Sequence, residues 1–267
     1  MLRVGGFTPL STTDWPGMLA AVVFCQGCPW RCRYCHNPDL IPARGEHEIP
    51  WEAVLAFLRR RQGLLDGVVF SGGEPTLQAS LADAMREVRA LGFRIGLHTG
   101  GMYPEKLEAV LPLVDWVGMD VKAPFAAYPS ITGAAGSGGR ALAGLQQVLA
   151  SGVEHEIRTT VHPVLLSDSD LADMARDLAA RGDALVVPGL GAPTWDTMAA
   201  GDHPLNFYTW GGMGGAAVAA APPRQRLRLA GAPIRAQGLQ DPLHPLRPRL
   251  PVVGDQPALW CQVFLRQ

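Results

Sequence analysis

With 267 residues at 48% hydrophobic content, the chain can bury one sizeable core as a single main domain. Its 23 Lys and Arg against 24 Asp and Glu leave a formal charge of -1, which gives no electrostatic basis for a nucleic-acid partner. No apolar run nears the roughly 20 residues of a membrane span, and five cysteines without a secretory leader do not make a disulfide framework, so a cytoplasmic protein with no membrane partner is expected.

Along the chain, apolar runs of strand length alternate with segments of helical period, a pattern that predicts parallel strands joined by crossover helices. The first strand is expected over residues 19–24, with Cys25 simply ending a buried strand and needing no ligand role. Residues 51–61 carry Trp51, Val54, Leu55 and Leu58 on one helical face, and residues 67–70 return as a strand that runs into a glycine pair. The cycle continues with a helix over 81–91, a strand over 94–98, a helix over 104–111, a strand over 116–120, a helix over 141–150, a strand over 154–161 and a helix over 169–181. A sixth parallel strand is expected over 184–187. Six such units make an incomplete version of the eight-unit α/β barrel, whose chemistry sits on the loops at the C-terminal ends of the strands. From Pro188 the alternation stops. Residues 188–267 hold eleven of the 23 prolines and seven arginines, with no glutamate or lysine. Such a composition does not make a packed core. The chain therefore divides into a partial-barrel domain over 1–187 and a Pro/Gly/Arg-rich tail over 188–267, disordered or aberrant.

Chemistry concentrates in the run Cys28-Pro29-Trp30-Arg31-Cys32-Arg33-Tyr34-Cys35. Three thiolates are one short of a closed metal site, and a four-iron cluster held by three of them keeps one iron open to a substrate or cofactor. A structural zinc site takes four ligands. His36 follows Cys35 directly, and adjacent residues rarely both reach one tetrahedral ion; Cys261, the only distant cysteine, stands alone near the C-terminus. A non-enzymatic iron-sulfur or zinc module remains the bland alternative.

The C-x3-C-x2-C loop with an aromatic residue before its last cysteine resembles the radical S-adenosylmethionine (SAM) enzymes, and so do Ser71-Gly72-Gly73-Glu74-Pro75 and Met119-Asp120-Val121-Lys122. More narrowly, Asp14-Trp15-Pro16-Gly17, Gln26-Gly27-Cys28, Cys35-His36-Asn37-Pro38 and Leu97-His98-Thr99-Gly100-Gly101 are similar to the activating proteins of anaerobic ribonucleoside-triphosphate reductase. The resemblance implies a radical SAM partial barrel in which Cys28, Cys32 and Cys35 ligate a [4Fe-4S] cluster, while the fourth iron takes the amino and carboxylate groups of SAM. It implies an oxidoreductase that cleaves SAM reductively and abstracts hydrogen from a glycine of a glycyl-radical enzyme, an anaerobic ribonucleotide reductase. It also implies a one-electron donor such as flavodoxin or ferredoxin. A radical SAM synthase or maturase acting on a small molecule or RNA is the competing reading.

The same resemblance, together with the chemistry and position of the side chains, assigns further residues to SAM. Tyr34 stands where the family has an aromatic near the adenine; covering the cluster from solvent is its equal alternative. Gly72 and Gly73, without side chains, allow backbone to approach a ligand. Together with Glu74 they would meet the methionine ammonium, although an acid before a short helix also caps it. Lys122 is one of only two lysines in an arginine-using chain, which favours a flexible point charge beside the SAM carboxylate. Asp120 resembles the family's partner acid, with strand-end capping as its plainer role. Arg158, inside a strand, needs an anion if buried and is assigned to SAM. Thr99 is a SAM neighbour at the end of its strand, and His162 reads as a hydrogen-bonded loop histidine.

Overall fold

A computed structural model describes residues 1–161, 164–182 and 205–211. Seven strands form one sheet in chain order: β1 Val4–Ser11, β2 Ala20–Cys25, β3 Gly67–Gly72, β4 Arg94–Thr99, β5 Trp116–Asp120, β6 Glu154–Val161 and β7 Leu205–Gly211. Strands β2 to β6 run parallel, while β1 and β7 pair antiparallel at the two edges. The crossovers carry helices α1 Trp51–Arg59, α2 Leu81–Ala90, α3 Pro104–Val110, the short α4 Tyr128–Thr132 with α5 Ser137–Ser151, and α6 Asp168–Ala180. The α/β architecture is therefore the one that the alternating pattern predicts. The sixth predicted parallel strand, the boundary at residue 187 and His162 lie outside the described residues.

Two edge elements escaped the pattern. Strand β1 reads Val-Gly-Gly-Phe-Thr-Pro-Leu-Ser, with too little alternation to register as a strand. An edge position tolerates Pro9, whose missing N–H would otherwise break a ladder. Strand β7 falls within the stretch expected to lack a packed core, and its backbone pairs with β6 from Val161↔Leu205 to His155↔Gly211. Helix α5 also starts a turn before its predicted range, because Gly138 and Gly139 hide its first turn from a propensity reading.

The period-2 alternation of the strands divides the core into two clusters. Val23 and Cys25, Val68 and Phe70, Ile95 and Leu97, and Val117 and Met119 face the helices, where Leu58, Met85, Leu107 and Leu145 cover them. Ala20, Val22, Val69 and Trp116 face the other way, and the β1–β2 loop folds Trp15 over them. Trp15 is 2% exposed and stacks on Trp116 with ring centroids 5.5 Å apart. Gly67 and Gly96 form its floor, since a Cβ at either would lie 2.9 Å from the indole. Among the described residues, no helix is long and apolar enough to cross a membrane.

Candidate functional site

The C-terminal ends of β2 to β6 open into a cleft of about 390 Å³, lined by every residue that the sequence assigned to the cluster or to SAM: Cys28, Cys32, Tyr34, Cys35, Gly72, Gly73, Glu74, Thr99, Asp120, Lys122 and Arg158. Parallel topology explains the convergence, because each crossover returns the chain to start the next strand at the same edge.

Backbone hydrogen bonds hold the cysteine loop from both sides. Gly27 N donates to Leu40 O and Cys28 N to Ile41 O, while Arg31 N and Arg33 N donate to Thr132 O and Ile131 O at the end of α4. Buried Gln26 adds Nε2 donations to the Asp39 and Pro42 carbonyls. Trp30 turns inward beneath the loop and meets Tyr128 edge-on at 5.8 Å. Burial pushes the Cys28 thiol up to about 12 and raises Cys32 as well, with Lys122 opposing the shift at Cys32. A thiol held this way gives up its proton to a metal cation rather than to water. Among the described residues, no three Cys, His, Asp or Glu side chains converge on a single-ion site.

Opposite the loop, β3 ends in the glycine pair. Gly72 has φ +114°, a conformation that L side chains rarely adopt, and a Cβ there would strike the Cys25 backbone. A Cβ on Gly73 would run into the Gly27 carbonyl, so only glycine lets the two loops meet. Glu74 is wholly buried. Its Oε1 accepts from Thr76 N at 3.1 Å, Thr76 Oγ1 at 2.5 Å and Thr99 Oγ1 at 2.8 Å, and its Oε2 accepts from Gly100 N at 3.0 Å. The carboxylate thus caps the short 3-10 turn Pro75–Leu77 and ties the end of β3 to the end of β4. Thr99 belongs to the same network, accepting from Gly101 N at 3.0 Å.

Replacing Glu74 by Gln puts an amide NH2 among groups that all donate, and the expected cost is about 2 kcal/mol of stability. Burial raises the Glu74 carboxyl above its ordinary value, against the opposing hydrogen bonds. A folded state that binds the proton more tightly than the unfolded chain loses stability as pH rises through the carboxyl range. Glu156, Asp120 and Asp170 add their own pH dependence to both proteins, so urea denaturation at several pH values should show stability falling more, or rising less, with pH in the parent than in Glu74→Gln; equal slopes would contradict the assignment.

At the far wall, Lys122 Nζ pairs with Asp120 Oδ2 at 2.9 Å, and Lys122 N donates to Tyr128 Oη at 2.9 Å. Burial pulls Lys122 down, but Asp120, with Tyr34 and Cys32, outweighs it and holds the ammonium charged. Burial likewise pushes Asp120 up, and Lys122 with Arg158 brings it below the usual carboxylate range. The hydroxyl of Tyr34 is buried without a hydrogen-bond partner among the described residues. Arg158 rises from β6 opposite Asp120 and donates from Nη2 to the Asp14 carbonyl at 3.1 Å.

Asp14, Trp30 and His98 also line the cleft, although the sequence suggested no cofactor role for them. All three lie within the motifs that carry the family resemblance or the cysteine run. Their contribution depends on a loop crossing the sheet and on neighbouring strands, which local spacing does not encode.

Residues 22–178 match the family model of the Radical SAM superfamily. The chain is 31% identical over 180 residues to a glycyl-radical enzyme activating enzyme of Methanocaldococcus jannaschii, covering 65% of this chain and 74% of that protein. It is 36% identical over 127 residues to the pyruvate formate-lyase-activating enzyme of Clostridium pasteurianum, covering 46% of this chain and 53% of that protein. It is 32% identical over 128 residues to the pyruvate formate-lyase 1-activating enzyme of Escherichia coli strain K12, covering 45% and 52%. The chain thus spans about three quarters of the first relative and about half of the other two. With more than half its length matched by the family model, and with the cysteine loop and glycine pair facing one cleft, the chain belongs to the radical SAM superfamily, whose cofactors are a [4Fe-4S] cluster and SAM.

Proposed function

We propose that this protein is an activase that abstracts hydrogen from a glycine of a partner enzyme, and that the partner is an anaerobic ribonucleoside-triphosphate reductase. The observation that carries the activase reading is the similarity to glycyl-radical activating enzymes, together with a cleft lined by the three cysteines and the glycine pair. The choice of reductase rests on the Cys35-His36-Asn37-Pro38 and Leu97-His98-Thr99-Gly100-Gly101 motifs. A flavodoxin- or ferredoxin-type carrier is the proposed electron donor.

The residues fit the two cofactors. Among the described residues Tyr34 Oη is a buried polar atom without a hydrogen-bond partner on the wall of the cleft, and the glycine pair, packed against the Cys25 and Gly27 backbone, brings the end of β3 to the same cleft. Cys28, Cys32 and Cys35 would hold the cluster. Backbone at Gly72 and Gly73 would take the SAM ammonium, with Glu74 fixing the curve of that backbone from behind. Lys122 and Arg158 would face the carboxylate, Asp120 would keep Lys122 charged and in place, and Thr99 and Tyr34 would flank the adenosine. Bound there, the cofactors supply reductive cleavage of the sulfonium and hydrogen abstraction. The protein supplies position.

Incubating the anaerobically reconstituted protein with reductant, SAM and a candidate reductase should give a glycyl radical signal by electron paramagnetic resonance, with 5′-deoxyadenosine formed alongside. Loss of the signal on replacing the target glycine by alanine would identify the site. 5′-Deoxyadenosine without any radical on the reductase would sink the partner assignment and turn attention to a small-molecule or RNA substrate.

A further inference from the structure

His98 ends β4 inside the cleft, beside residues assigned to SAM. Its Nε2 lies 2.8 Å from Arg158 Nη1, and its Nδ1 lies 3.2 Å from Ser71 Oγ. Strand β5 runs between the two residues, and the position between them is Gly118, which pairs with His98 in the β4–β5 register. A Cβ at Gly118 would lie 2.9 Å from His98 Cδ2 and 3.0 Å from Arg158 Cζ. The bare glycine lets two side chains on next-nearest strands touch across the intervening one, a contact that ordinary strand spacing forbids.

Trp116 forms the floor under both groups. The guanidinium of Arg158 sits 4.9 Å above its ring, and His98 meets it edge-on at 5.6 Å. The Asp14 carbonyl closes the corner, 3.1 Å from Arg158 Nη2 and 2.8 Å from His98 Nε2. Other charges around the pair are Asp120, which pairs with Lys122, and buried Glu156, whose Oε1 is 3.7 Å from Arg158 Nε. Burial, with Arg158 alongside, pushes His98 down to about 4 and keeps its ring neutral. A guanidinium only donates and a carbonyl only accepts, so Nε2 cannot hydrogen-bond both; in the neutral ring protonated at Nδ1, whose N–H donates to Ser71 Oγ, Nε2 accepts from Arg158 Nη1, and the Asp14 carbonyl takes its hydrogen bond from Arg158 Nη2 and none from the ring.

We propose that His98 is a positioning residue, whose Nε2 accepts from Arg158 across Gly118 and so sets the plane of the guanidinium at the floor of the cleft for the anionic group of SAM. The inference rests on the reading that Arg158 faces SAM. A guanidinium left to rotate would lose the entropy advantage of a preset donor fork.

The test is the dissociation constant for SAM, measured by anaerobic calorimetry on the reconstituted full chain, with cluster content and melting temperature recorded for each variant. Gln reaches the position of Nε2 with an acceptor, whereas Asn reaches only that of Nδ1. His98→Asn is expected to weaken SAM binding about tenfold, the scale of one hydrogen bond to a charged group, and His98→Gln to restore binding close to the parent's. Gly118→Ala leaves both side chains present but separates them, so it should weaken binding by a similar factor and add nothing to His98→Asn. Adding His98→Asn to Arg158→Met should likewise have no further effect. Equal weakening by Asn and Gln, or additivity with Arg158→Met, would overturn the positioning role. Unchanged binding in Arg158→Met alone would instead overturn the reading of Arg158 as a SAM residue, a failure separable from that of His98.

Discussion

Cys32→Ala should reduce 5′-deoxyadenosine formation to background while the protein stays folded. Cys32 is the central of the three thiols, and two ligands do not hold a four-iron cluster in a fixed orientation. Folding should survive because backbone hydrogen bonds on both sides hold the loop. Gly27, Cys28, Arg31 and Arg33 each donate a backbone hydrogen bond to Leu40, Ile41, Thr132 and Ile131 respectively, and none of these bonds uses the Cys32 side chain. Removing one half-buried sulfur then costs about 1 kcal/mol or less. Reconstitution with iron and sulfide, product analysis by mass spectrometry and a thermal melt of the same sample check both halves. Product at parental levels would exclude Cys32 as a ligand. Collapse of the melt would show that the loop needs the cluster to fold.

Trp15→Ala should cost about 4 kcal/mol of stability, near the upper part of the range for truncating a buried aromatic. The indole is 2% exposed, stacks on Trp116, and covers glycines at positions 67 and 96 that leave no side chains to collapse into the space. Arg94 also loses the ring 5.2 Å beneath its guanidinium. For a chain of this size, a loss of that order lowers the melting temperature by about 10 °C. A second consequence follows from chain connectivity. Trp15 anchors the loop that brings the Asp14 carbonyl to Arg158 and His98, so SAM binding should weaken as well, while Trp15→Phe keeps part of both effects. A melting shift under about 3 °C would mean that the loop does not depend on its indole.

Much of the fold was legible locally. The parallel strands and their helices announce themselves by period, because each strand of a covered sheet must be apolar and each crossover helix must bury one stripe. The edge strand β1 was not legible. Its glycines and Pro9 remove the alternation, and only pairing with β2 makes it a strand. The short helix α4 was missed for a similar reason, since its five residues are too few for a period and its role is to receive the cysteine loop at Ile131 and Thr132.

The site divides along the same line. Which residues are candidates was determined by the chain itself: the three closely spaced cysteines, the glycine pair before an acid, and a rare lysine beside an aspartate are local facts, and all of them line the cleft. What each does there was decided by the tertiary structure. Glu74 could be read as a cap or as a ligand contact, and burial beside Thr76, Thr99 and Gly100 spends both its oxygens inside the protein. His98 had no role until strand order put it next to Gly118, and Gly118 had none until Arg158 arrived on the strand beyond. Contacts across neighbouring strands depend on register and on what is missing between them, and neither is written in the spacing of a single segment.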